Sequence, residues 1–161
     1  QNHQLNDKEI SEIFKKLEEK GLTFGSIESM TGGLFATTIT NVSGASKVYK
    51  GSIITYTSEE KINIVGVNKE TIDKETVVSS KVAQEMAMNG QKLLNVDICL
   101  SITGNAGPTV EKGNKQVGEA YIGICFKGVT AVASFLFKGD RNQIRASACK
   151  QMIDILETFA K

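Results

Sequence analysis

Residues 96–103 read Val-Asp-Ile-Cys-Leu-Ser-Ile-Thr, a short run that is apolar or small at nearly every position. A strand of this kind has no face to offer water, so it must be covered on both sides, as strands are in the parallel part of an α/β sheet. The surrounding sequence offers the cover. Ser79–Leu94 precedes it with a helical pattern that turns Val82, Met86 and Leu93 inward, and the turn Thr-Gly-Asn-Ala-Gly-Pro follows it. The same order occurs earlier: an amphipathic helix over Asp7–Lys20 with Ile10, Ile13, Phe14 and Leu17 on one face, opened by an Asp cap, leads into a strand over Leu22–Glu28.

Further elements follow the same logic. A helix is expected over Thr31–Asn41, a strand over Gly51–Thr57, and a short helix capped by Ser58 and ended by Gly66. Beyond a polar loop over Thr109–Gln116, strands near Ala120–Phe126 and Val129–Phe137 are separated only by Lys-Gly, a hairpin signal, and a last helix runs from about Asp140 to Phe159. Alternating helices and buried strands with one hairpin specify a three-layer α/β/α sandwich around a mostly parallel mixed sheet. With 161 residues and 40% hydrophobic content, one domain with one sizeable core is expected over 1–161, residues 1–5 fraying.

Composition narrows the function. Nineteen basic and 18 acidic residues leave a formal charge of +1, which gives no footprint for nucleic acid or for a membrane surface. The polar start lacks the order of a signal peptide and no apolar run approaches a membrane span, so a cytoplasmic location is expected. Cys99, Cys125 and Cys149 are odd in number and widely spaced, as free buried thiols are. The only histidine is His3, which argues against a Ser-His-Asp triad or a histidine-based metal site and leaves Lys, Tyr, Asp and Glu for acid-base work. Only two arginines exist, Arg141 and Arg145, one helical turn apart.

Two glycine-bearing turns fall at expected strand ends: Glu28–Gly33 (Glu-Ser-Met-Thr-Gly-Gly) and Thr103–Pro108 (Thr-Gly-Asn-Ala-Gly-Pro). Ligands of open α/β sheets gather beyond the carboxyl ends of the strands, and glycine lets backbone amides approach them. Either turn, taken alone, reads equally as a helix cap or a tight turn.

These two turns, together with Ser-Gly-Ala-Ser at 43–46, Tyr-Thr-Ser-Glu-Glu-Lys at 56–61 and Gly-Asp-Arg-Asn-Gln-Ile-Arg at 139–145, resemble in order and spacing the C-terminal CinA domain family. The resemblance covers nearly the whole chain and is to the stand-alone form of the domain, the nicotinamide mononucleotide deamidases often called PncC. It implies the three-layer sandwich and hydrolysis of the carboxamide of nicotinamide mononucleotide to nicotinate mononucleotide and ammonia, without metal or organic cofactor. Family members commonly associate, so a homodimer or higher homo-oligomer is expected.

On this resemblance Ser29 is the candidate nucleophile, with a helix cap as its ordinary role, and the amides of Thr31, Gly32 and Gly33 are the expected oxyanion site. Lys61 is the candidate base. An unperturbed lysine titrates near pH 10.4, so the assignment requires burial or a nearby cation to bring it down, with Tyr56 orienting the amine. Thr103 is expected to touch substrate or orient the pair, Ser46 matches a family serine near the site, and Gly104, Ala106 and Gly107 form the second wall. Arg141 and Arg145 are expected at the 5′-phosphate, Arg145 the favoured one, with surface ion pairs as the alternative. Met30 stands where the family has cysteine, and Thr109–Gln116 replaces a glycine-rich stretch, so a non-catalytic nucleotide-binding or competence-related interaction protein of the same fold remains the competing reading.

Overall fold

The computed structural model describes residues 4–113 and 116–161; His3 and the centre of the 109–116 loop lie outside the described residues. The chain runs α1 (Asp7–Glu19), β1 (Phe24–Glu28), α2 (Leu34–Thr40), a short 3-10 turn at Ala45–Lys47, β2 (Tyr49–Ile54), α3 (Ser58–Asn63), α4 (Lys69–Glu75), α5 (Ser80–Leu94), β3 (Ile98–Gly104), β4 (Glu119–Phe126), β5 (Val129–Leu136) and α6 (Arg141–Thr158). The five strands form one sheet in the order β2-β1-β3-β4-β5. β1 pairs in parallel with β2 and β3, while β3-β4 and β4-β5 are antiparallel. The mixed sheet is thus evenly divided, its parallel part made by the three strands that the helices connect.

Alternation along the strands builds two cores. Phe24, Ile98, Leu100, Ile102 and Ile122 face the layer of α1, α2 and α6 with Phe14, Leu17, Phe35, Ile144 and Met152. Ile27 and Cys99 face the other way, onto Val82 and Met86 of α5 and onto Val65 and Val67 after α3. All three cysteines are free and buried.

Local chemistry shifts several expected boundaries. The cap of α1 is Asn6, not Asp7: its Oδ1 accepts from Glu9 N–H at 2.8 Å, and Glu9 returns a bond to the Asn6 N–H in a capping box. Thr57, not Ser58, caps α3. α4 has no counterpart among the expected elements, because Lys-Glu-Thr-Ile-Asp-Lys-Glu carries a single apolar residue and no stripe. Leu93 is 54% exposed rather than inward. The buried face of α5 is made by Val82, Ala83, Met86, Ala87 and Gly90, and a Cβ at Gly90 would overlap Ile27 and Cys99. Small residues let this helix lie close on the sheet, and Leu93 lies outside that contact.

Candidate active site

The first glycine turn leaves the end of β1 and is fastened from two sides. Glu28, fully buried, accepts from the Thr31 hydroxyl (2.7 Å) and from the backbone N–H groups of Gly33 (2.9 Å), Phe35 (3.3 Å) and Ala36 (3.0 Å). The carboxylate therefore occupies the N-terminus of α2, where Gly33 at φ 98 has no side chain to offer as cap. On the opposite side Arg145 of α6 donates from Nε to the Met30 carbonyl (2.9 Å) and from Nη2 to the Thr31 carbonyl (2.8 Å). The turn reaches the cavity only through Ser29 and Met30.

This arrangement corrects three expectations. The Gly33 N–H is taken by Glu28 and the Gly32 N–H by the Ser29 carbonyl at 3.0 Å, the Thr31 hydroxyl is bonded to Glu28, and none of the three residues lines the cavity. Arg145 is committed to backbone carbonyls and likewise lines no part of it. Ser46 is exposed in the 3-10 turn before β2, at the amino end of the parallel strands, whereas the cavity lies at their carboxyl ends.

Lys61 lies across from Ser29. Its side chain, 1% exposed, is among the largest fully buried ones, an unusual state for lysine. Thr57 accepts from Glu60 N–H at 3.2 Å and starts a helix so short that Lys61 sits in its last turn, directed inward. Nζ lies 2.7 Å from Ser29 Oγ, 2.8 Å from the Thr55 carbonyl and 3.4 Å from the Tyr56 carbonyl. Burial lowers its pKa from 10.5 to about 8, against the opposing pull of the Glu111 carboxylate. A neutral amine has two N–H groups and one lone pair. Here the two carbonyls can take the N–H groups, which leaves the lone pair facing the serine hydroxyl. The backbone, not the Tyr56 phenol, orients the amine: Tyr56 is 58% exposed, and its hydroxyl accepts from Arg141 Nη2 at 3.0 Å.

The pair opens into a cavity of about 290 Å³ whose other wall is the second glycine turn. Thr103, Gly104, Ala106 and Gly107 line it, and so does Arg141, which donates from Nη1 to the Gly107 carbonyl at 2.6 Å. The Thr103 hydroxyl donates to the Val77 carbonyl at 3.0 Å, so only its lone pairs remain for a ligand. The two turns meet at Gly104, where a Cβ would fall 2.8 Å from the Met30 sulfur. Glycine there lets the turns lie side by side.

Asn105 and Glu111 also line the cavity, and the sequence reading misses both. Asn105 is 4% exposed; its Oδ1 accepts from Glu111 N–H at 2.9 Å, and its Nδ2 has no partner among the described residues. The polar letters of Asn-Ala-Gly-Pro-Thr-Val-Glu look like ordinary loop residues, and only an asparagine placed inside a glycine turn gives any sign. Among the described residues no His, Cys, Asp and Glu side chains gather as a metal site, and no helix is long and apolar enough to cross a membrane.

Comparison with known proteins identifies the fold and the family. A CinA-like protein of Kosmotoga olearia is 44% identical over 153 residues, 94% of this chain but 37% of its own length. The chain spans a little over a third of the curated relatives it matches, 38% of one from Thermoanaerobacter. Two crystal structures superpose over nearly their whole chains. The competence damage-inducible protein A of Klebsiella pneumoniae does so with a TM-score of 0.91 and 26% identity, covering 96% of both chains. A competence or damage-inducible protein from Enterobacter asburiae does so with a TM-score of 0.92 and 25% identity, covering 98% of this chain and 99% of its own. The family model of the CinA C-terminal domain matches residues 6–160, and the chain belongs to that family.

Proposed function

We propose that this member of the CinA C-terminal domain family is an amidohydrolase that converts nicotinamide mononucleotide to nicotinate mononucleotide and ammonia, in pyridine-nucleotide recycling. The observation that carries the reading is the 2.7 Å contact between Ser29 Oγ and a buried lysine amine at the mouth of a substrate-sized cavity. Amide hydrolysis needs a nucleophile, a base that returns as acid, and a site for the developing oxyanion. Neutral Lys61 takes the Ser29 proton as Oγ attacks the carboxamide carbon. The Met30 N–H, next after the nucleophile and without a backbone acceptor among the described residues, receives the oxyanion. The Lys61 ammonium then gives its proton to the leaving nitrogen; ammonia departs, and a serine ester remains. Water, deprotonated by the same amine, cleaves the ester and restores Ser29.

Arg141 is the phosphate ligand in this reading, since it lines the cavity and Arg145 does not. Its two observed bonds, to the Gly107 carbonyl and the Tyr56 hydroxyl, leave further N–H groups for an anion. Ammonia release from nicotinamide mononucleotide, its riboside and free nicotinamide, measured in parallel, tests the assignment. The mononucleotide is expected to exceed the riboside in kcat/KM by about ten- to a hundredfold, the value of one charged hydrogen bond. Binding of the mononucleotide with no ammonia released overturns the amidase and favours a nucleotide-binding role.

A further inference from the structure

The cavity carries an asymmetric set of charges. Lys61 and Arg141 bring positive charge, and Glu111 is the only acid among the described lining residues. A carboxylate is an awkward neighbour for a nucleotide phosphate, yet its place in the wall is well anchored. Asn105 Oδ1 holds the Glu111 N–H at 2.9 Å, and the Asn105 backbone is itself bonded to both sides of the start of β4, through the Glu119 carbonyl (2.9 Å) and the Gly118 N–H (2.8 Å). The Glu111 side chain is exposed, and its carboxylate takes no hydrogen bond among the described residues.

Resting on the deamidase reading above, we propose that Glu111 is a specificity-determining residue that selects the positively charged pyridinium ring of the substrate over a neutral aromatic amide. The substrate is itself dipolar, with a phosphate anion at one end and a ring cation at the other. Arg141 and Glu111 match these ends with opposite charges, an arrangement that discriminates against wrong ligands as much as it attracts the right one. Asn105 is the positioning residue: it fixes the backbone of Glu111 so that the carboxylate is presented to the cavity without being bonded away.

The test uses the Ser29→Ala chain, so that nothing turns over, and calorimetric binding of two probes. One is nicotinamide mononucleotide; the other is benzamide ribonucleotide, in which a neutral phenyl ring replaces the pyridinium. With Glu111 intact the cationic probe is expected to bind at least about tenfold more tightly at low salt, the preference shrinking as salt is added. Adding Glu111→Gln should reduce it to about threefold or less, while Glu111→Asp, which keeps the charge, should retain most of it. A second readout comes from the active chain. Lys61 shares the cavity with Glu111, Arg141 and the Tyr56 phenol, and only the Glu111 carboxylate favours its protonated form. Glu111→Gln should therefore move the acid limb of kcat/KM to lower pH. A preference that is equal with and without the Glu111→Gln substitution overturns the inference and leaves the deamidase reading intact, the cation then being recognised elsewhere, as by the Tyr56 ring. Binding of neither nucleotide overturns both.

Discussion

Lys61 shows what burying an amine costs the fold in stability. Burial holds its pKa near 8 against 10.5 in an exposed chain, a bias of about 3 kcal/mol against the charged form. Below pH 8 the amine carries its proton in both folded and unfolded states, and the folded state bears the full cost of burying the charge. Between about pH 8 and 10.5 the folded chain has released the proton while the unfolded chain still holds it, so the lysine's contribution to stability rises with pH and the penalty is gone above that window. Urea denaturation of wild type and Lys61→Met at a series of pH values checks this. The stability of Lys61→Met relative to wild type should fall by about 3 kcal/mol between pH 7 and 10.5, and a difference independent of pH contradicts a depressed amine. None of this is legible in Ser-Glu-Glu-Lys-Ile-Asn, which reads as a solvated helix start. Lys61 stands out only by its place in a motif, and its burial comes only with the fold, which brings Nζ to Ser29 Oγ and the Thr55 carbonyl. Asn105 and Glu111 escape notice for a related reason: their roles come from a contact across six residues of loop, for which no periodicity exists.

The link between β1 and α2 is rigid because opposite charges grip opposite ends of its peptide dipoles, Glu28 the N–H groups and Arg145 the carbonyls. Sequence places both arginines on one helix face near its N-terminus, which is correct. It favours Arg145 for the phosphate, and the structure assigns it to the turn instead: one helical turn beyond Arg141, it is carried past the cavity mouth and under Met30 and Thr31. The two substitutions should separate in kinetics. Arg145→Ala should lower kcat for nicotinamide mononucleotide and its riboside alike, because it loosens the Ser29 turn. Arg141→Ala should remove about tenfold or more of the mononucleotide's advantage. Steady-state constants for both substrates in both variants decide the matter, and loss of the advantage in Arg145→Ala alone reverses the assignment. Helix and strand order is otherwise readable from periodicity. The misses, Asn6 for Asp7, Thr57 for Ser58 and the absent α4, lie where a one-residue choice of cap or a polar helix leaves no hydrophobic record.

Across the molecule, the site exists because β1 and β3 are parallel neighbours, so the turns that leave their carboxyl ends meet, with Gly104 against Met30. Alternation of helix and buried strand is enough to foresee that meeting. It is not enough to exclude Ser46, which belongs to the same parallel block but precedes its strand and so falls at the far end of the sheet. The hairpin β4-β5 extends the sheet beyond β3, and the start of β4 anchors Asn105 and through it the wall that carries Glu111. In the proposed mechanism these parts are joined by the Ser29-Lys61 pair, which acts as a unit. Ammonia release from nicotinamide mononucleotide should therefore be followed in wild type, Ser29→Ala, Lys61→Ala and the double variant, with circular dichroism confirming each fold. Each single substitution is expected to lower kcat/KM by about a thousandfold or more, and the double variant to be within about threefold of the worse single one. Retention of more than about a tenth of wild-type activity in either single variant, or losses that multiply in the double, contradicts a serine nucleophile served by a lysine base.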